Sequence, residues 1–297
     1  MLGAPLIALA SACGFAVSTS LQHFAASRVA PSAGPVRLLI SLATTPLWLA
    51  ASALGLVSFS LHALALQLGT LALVQPLMLC GVVLAVLARA AAGGRLPRRQ
   101  ELLAVCVTVG GLASFLAATE FSQGRSAPDT GRALLCCLLV AGAFAVLTVL
   151  ASRQRRMEIR GALLGAASGL LFGTMAGLIK LVGHDLQDGG LWTTLSTWRP
   201  WVLALAGLMA VSTNQRAFHS ARLAASMPLL NVVNVAVAMT FGWFVFGEAP
   251  IQGPLTLAVQ VVAAAVTAFG LAWIARLEPD VALPPLMGDP VSVRRDH

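Results

Sequence analysis

The sequence predicts an all-α integral membrane protein with about nine transmembrane helices, in two inverted repeats joined by a central helix. Three observations carry that reading. The chain is 58% hydrophobic and only 10% charged, whereas a soluble domain carries about 25% charged residues. Apolar runs of about 20 residues recur from end to end, long enough to cross a hydrocarbon core of roughly 30 Å. They are built from Leu, Ala, Val and Gly without period-2 alternation, so helices fit better than a membrane barrel. Finally, a pattern of residues in the first half returns in the same order in the second.

The expected spans are 3–24, 46–68, 71–90, 99–119, 132–152, 160–182, 200–219, 223–246 and 253–275. The first lacks the positive flank of a signal peptide, and its apolar character runs on to Leu21, so it reads as a retained membrane helix. The stretch from Pro35 to Gln67 is too long for one straight span and too short for two. Pro46 favours a short interfacial segment followed by one span; a short tenth span within 35–46 is the alternative. The third span carries Gln75-Pro76-Leu77, and the fourth follows Arg98 and Arg99. The fifth lies between Arg132 and Arg153, and the sixth bears glycines at every fourth position. The seventh opens at Pro200, the eighth contains Pro228 and ends at Gly247-Glu248, and the ninth stops at Arg276. Residues 1–120 form the first repeat, 121–159 the joining helix with its loops, and 160–276 the second repeat. Residues 277–297, rich in Pro and Asp, form a disordered tail.

Charge supports nine spans. The net charge of +8 comes from 18 arginines and one lysine, with 11 acidic residues. With nine spans only Arg125, Arg132 and Arg199 fall on one side, and the other 15 arginines fall on the opposite side. The positive-inside rule then puts the N-terminus outside and the C-terminus in the cytoplasm of a multi-pass protein of the cell membrane. Because the arginines punctuate apolar runs, nucleic acid is not an expected partner; the bilayer and a small-molecule or ion substrate are. Monomer and homodimer both remain open. The bias of Arg over Lys and the richness in Ala point to a high-GC bacterial source.

The repeat is read in register. Gly161, Gly165, Gly169, Gly173 and Gly177 correspond, 157 residues earlier, to Ala4, Ala8, Ala12, Ala16 and Ser20. The same shift pairs Ser168 with Ser11, Phe172 with Phe15 and Lys180 with His23. Further on, Pro46 and Trp48 match Pro200 and Trp201, Gln75-Pro76-Leu77 matches Met227-Pro228-Leu229, and Gly94-Arg95 matches Gly247-Glu248. Five spans separate the two starts, so the second unit is inverted in the membrane. Such repeats are a transporter plan, with a site near the midplane between them. Small residues four apart also serve close helix packing.

The helix that opens with a Pro after small residues and ends in Gly-Glu, here Ala224 to Pro228 through Phe246-Gly247-Glu248, resembles the drug/metabolite transporter superfamily, including its EamA-like members. Its weaker copy runs from Leu73-Val-Gln-Pro76 to Gly94-Arg95. The nine-span, N-outside count, the run from Ala63 to Leu77, and Gly173 with Lys180 are most similar to the NIPA-like magnesium transporter branch. The resemblance covers roughly residues 3–276. It implies carriage of a small solute by alternating access between the repeats, and its NIPA-like side implies magnesium. The chain departs from a magnesium carrier in having no acidic residue in a helix core; Glu120 and Glu248 lie at outer helix ends, and Mg²⁺ takes carboxylate oxygens.

Polar groups inside a membrane are costly and mark function. Lys180 is the only lysine; it either snorkels to the interface or serves as a site cation. His23 lies near the inner end of the first helix, as an interfacial histidine or as Lys180's counterpart. Asn231 and Asn234 share a helix face after Pro228 and suit interhelical hydrogen bonds or substrate contacts. His62 and Gln67 on the second helix, Gln75 on the third, Asn214 with Gln215 and Arg216 on the seventh, and Gln260 on the ninth are further candidates. Glu248 reads as a pairing or capping residue, or as a gate. Cys13, Cys80, Cys106, Cys136 and Cys137 lie inside apolar runs and form no metal-binding spacing; the identity of any metal is not readable. No phosphate-binding loop, HExxH or GxSxG occurs, so neither an enzyme nor a cofactor is expected. A non-transporting membrane scaffold or accessory subunit is the remaining alternative.

Overall fold

The computed structural model describes residues 3–26, 44–92, 96–119, 128–220, 223–248 and 254–277. The expected interfacial segment before Pro46, Glu120, the side chains of His23 and Gln215, and the C-terminal tail lie outside the described residues. Among those residues the chain is all-α, with no strand. The helices are α1 (Gly3–Ala26), α2 (Pro46–Leu68), α3 (Leu71–Met78), α4 (Cys80–Ala92), α5 (Arg99–Ala117), α6 (Thr130–Arg153), α7 (Met157–Ser196), α8 (Arg199–Ser220), α9 (Leu223–Phe241) and α10 (Pro254–Leu277). Among the described residues six helical stretches are long and apolar enough to cross a membrane: Pro46–Leu68, Arg99–Ala117, Thr130–Arg153, Met157–Ser196, Pro228–Phe246 and Leu255–Leu277. Gly3–Ser18 and Leu71–Leu84 are shorter apolar stretches.

Two elements differ from expectation. The single helix foreseen over 71–90 is broken: Pro76 lies inside α3, and Leu79 turns its N–H to the Pro76 carbonyl before α4 begins. The helix foreseen over 160–182 does not stop at Gly183. It runs to Gly190, where φ of 70° and ψ of −178° interrupt it. At 1.5 Å per residue the stretch from Met157 to Gly189 is about 50 Å long, so its far end projects beyond a hydrocarbon core of about 30 Å. Glycine does not end a helix when its missing side chain admits a neighbour.

That is how the centre of the bundle is built. α7 is largely buried between Gly161 and Leu181, and its glycine stripe seats α9. A Cβ on Gly169 would lie 2.5 Å from the Leu230 carbonyl oxygen, and one on Gly173 would lie 2.5 Å from that of Asn234. α1 likewise approaches the α3–α4 column through small residues: Ala4, Ala8, Ala12 and Ala16 are all buried, and a Cβ on Gly81 would sit 3.1 Å from the Ala12 carbonyl oxygen. α6 is buried only at Ala133 and Ala151 and stands at the periphery.

Hydrogen bonds repeat this arrangement. Ser11 on α1 donates to the Ser58 carbonyl on α2 at 2.7 Å, and Ser168 on α7 donates to the Ala210 carbonyl on α8 at 3.0 Å. α5 and α10 pack antiparallel through a reciprocal contact. A Cβ on Gly111 would fall 2.7 Å from the Thr267 nitrogen, and one on Gly270 would fall 2.7 Å from the Thr108 nitrogen. Thr267 and Gly270 stand 159 positions after Thr108 and Gly111.

Gly173→Ala is expected to destabilise the folded protein by about 1–3 kcal/mol, the usual cost of overpacking. Gly142→Ala on exposed α6, where a Cβ meets nothing within 4 Å, leaves stability unchanged or raised. Thermal unfolding in detergent separates the two; equal melting temperatures would refute the close approach of α7 and α9.

Candidate functional site

Lys180 on α7 and Glu248, just beyond α9, meet as a largely buried ion pair, with side-chain exposures of 16% and 3%. Lys180 Nζ donates to Glu248 Oε1. Each partner has a second bond, and both run to the junction between α2 and α3. Nζ donates to the Gly69 carbonyl oxygen at 2.7 Å, and Glu248 Oε2 accepts from the Leu71 N–H at 2.8 Å. Nζ also stands 5.2 Å from the centroid of the Phe246 ring, an orientation in which a cation is attracted to the ring face. The sole lysine does not sit at a helix end, since α7 continues beyond it to the break at Gly190; its charge is held by Glu248 and the Gly69 carbonyl rather than released to solvent.

The local sequence explains how Glu248 arrives there. α9 widens into one π-helical turn, Gly242–Phe246. Gly247 follows in the left-handed conformation, φ 68° and ψ 24°, which glycine adopts without steric cost. The Glu248 N–H then donates to the Gly242 carbonyl at 3.1 Å, and the carboxylate folds back over Gly242. A Cβ there would lie 2.7 Å from Oε2. α6 braces the same turn: the Asp129 N–H donates to the Val245 carbonyl at 3.2 Å, and Arg132 Nη1 donates to the Phe244 carbonyl at 3.3 Å. On the other side of the junction Thr70 caps α3, its hydroxyl accepting from the Leu73 N–H at 3.2 Å.

Of the residues singled out in the sequence, Gln67 joins this site. Its amide donates to the carbonyls of Ile179 and Lys180, each at 3.3 Å, and occupies the space that a side chain on Gly183 would fill. His62 and Gln75 lie together elsewhere between α2 and α3, with Nε2 atoms 3.5 Å apart and His62 Nδ1 buried without a hydrogen-bond partner. Asn234 and Asn214 each bury a side-chain oxygen that has no partner, while Asn231 is partnered. Gln260 belongs to another contact: it donates to the Ala118 carbonyl at 3.2 Å and the Thr119 hydroxyl at 3.1 Å, tying α10 to the end of α5.

Sequence reasoning missed three contributors. The Gly69 carbonyl and Leu71 N–H are backbone groups with no side-chain signal. Phe246 reads as one more apolar residue. A second ion pair, Asp185 with Arg199, is also new; Arg199 reaches the Thr130 hydroxyl as well, so α7, α8 and α6 are tied together. Asp185 and Arg199 are distant enough in sequence, across the Gly190 break, that no helical spacing links them. Among the described residues no group of three or more His, Cys, Asp or Glu side chains could hold a metal ion, and both Glu248 oxygens are engaged by nitrogen donors.

Breaking a buried ion pair from one side leaves an uncompensated charge. Glu248→Ala is expected to cost about 3–5 kcal/mol. The double variant Lys180→Met with Glu248→Gln removes both charges, keeps an acceptor for the Leu71 N–H, and recovers most of that loss. Unfolding of the purified variants in detergent measures the coupling; strictly additive effects would mean that the two side chains act apart.

No protein-family profile matches the chain, and no solved structure does. An uncharacterized protein of Corynebacterium glutamicum is 26% identical to it over 247 residues, which is 82% of this chain and 85% of that protein.

Proposed function

We propose that the chain is a secondary carrier of the drug/metabolite transporter type, moving a small solute across the cell membrane by alternating access between two inverted repeats. The observation that carries this reading is the recurrence of contacts. Ser11 with α2 and Ser168 with α8 make the same serine-to-carbonyl bond. The Thr108–Gly111 and Thr267–Gly270 pairs meet reciprocally, as two antiparallel copies related by an axis in the membrane plane would. On this reading α3 and α4 form one broken span, nine spans result, and the arginine split sets the N-terminus outside. The end carrying Lys180 and Glu248 is then the outer end.

The ion pair supports the mechanism. Both charges belong to the second repeat, and the groups they clamp belong to the first. Opening the outer end separates Gly69 and Leu71 from Lys180 and Glu248, a discrete change of the kind that rocking repeats make. The sequence holds no phosphate-binding loop of the GxxxxGK type, so coupling would be to a gradient. Magnesium carriage is the weaker reading, because Glu248, the acid of the Gly-Glu motif, is already neutralised by Lys180, and Mg²⁺ takes oxygen ligands with several retained waters.

Two outcomes are expected. With the five native cysteines replaced, Gln67→Cys paired with Gly183→Cys places one thiol on each repeat at the closed end. A short bis-thiol crosslinker should abolish flux of labelled small metabolites into vesicles; undiminished flux after crosslinking would exclude opening there. Arg155→Cys should react with an impermeant thiol reagent only after cells are permeabilised, and labelling of intact cells would reverse the orientation.

A further inference from the structure

The junction clamped by the ion pair has the geometry of a peptide ligand. Gly69 (φ −135°, ψ 173°) and Thr70 (φ −79°, ψ 151°) are both extended. In an extended chain the carbonyl before a residue and the N–H after it point to the same side, as they do along a strand edge. Here those two groups flank Thr70 and are the ones engaged: the Gly69 carbonyl by Lys180 at 2.7 Å, and the Leu71 N–H by Glu248 at 2.8 Å. The ion pair itself rides on α7 and α9, which the glycine contacts hold as one body. When the junction withdraws, Lys180 and Glu248 remain paired. The pair then presents one cationic donor and one anionic acceptor with no net charge, spaced for a peptide edge.

We propose that this outer site binds short, net-neutral peptides in extended form, reading one carbonyl through Lys180 and the following N–H through Glu248, with the Gly69–Leu71 junction as its built-in competitor. This assignment of solute class rests on the carrier reading above, but binding tests it separately from flux.

The probe is N-acetyl-glycyl-threonine N-methylamide, tritiated, with the full-length protein in nanodiscs. Saturable binding is expected. The dimethylamide analogue, which lacks the terminal N–H, binds about tenfold more weakly, the effect of one hydrogen bond to a charged acceptor. Leu71→Pro removes the competing N–H at the first position of α3, where proline is tolerated, and should tighten binding about tenfold; a merely structural role for the junction would weaken it. Glu248→Gln leaves Lys180 unbalanced and should shift preference toward the analogue ending in a carboxylate. No saturable binding to wild type or Leu71→Pro, equal binding of methylamide and dimethylamide, or stronger binding of free threonine overturns the assignment. Binding without flux keeps this site and removes carriage. Flux of other solutes without amide binding keeps carriage and removes this site.

Discussion

A charge in a low-dielectric interior needs a partner, and the Lys180–Glu248 pair is the place where this requirement organises the molecule. Neither side chain is solvated enough to stand alone, and each has a remaining valence after the two have met. The α2–α3 junction supplies those valences from its backbone. A carboxylate at the start of α3 and an ammonium beyond the end of α2 also complement the dipoles of those helices. The surrounding sequence follows from holding this arrangement: a π turn that brings the chain round, Gly247 in the left-handed region, a bare Gly242 under the carboxylate, and Phe246 beneath the ammonium.

The second constraint is close approach between helix backbones. Apolar side chains gain little by leaving lipid for protein, so helices associate through packing and hydrogen bonding. α7 answers this with glycine, α1 with alanine, and both add a buried serine that donates to a carbonyl on the next helix. The result is a pair of similar three-helix arrangements, with α5 and α10 meeting through Thr and Gly.

The all-α membrane class was legible in the sequence because it depends on composition and run length, which need no knowledge of neighbours. The bounds of α2, α5 and α10 follow the expected spans, their ends marked by Pro46, by Arg98 and Arg99, and by Arg276. The serine pair and the small-residue stripes were also visible as a shifted repeat. Lys180, Glu248 and Gln67 stood out because polar groups in apolar runs are rare.

Tertiary structure alone decided what those groups meet. Lys180 and Glu248 lie 68 residues apart, and neither helical spacing nor hydropathy ties them. Their other partners are a carbonyl and an N–H that every residue possesses, so no side chain advertises them. The run of α7 past Gly183 could not be read locally, because a glycine that ends a helix and one that admits a neighbouring side chain are the same letter. The division follows from the physics: membrane insertion depends on what a segment is, and pairing and close packing depend on what happens to lie across from it.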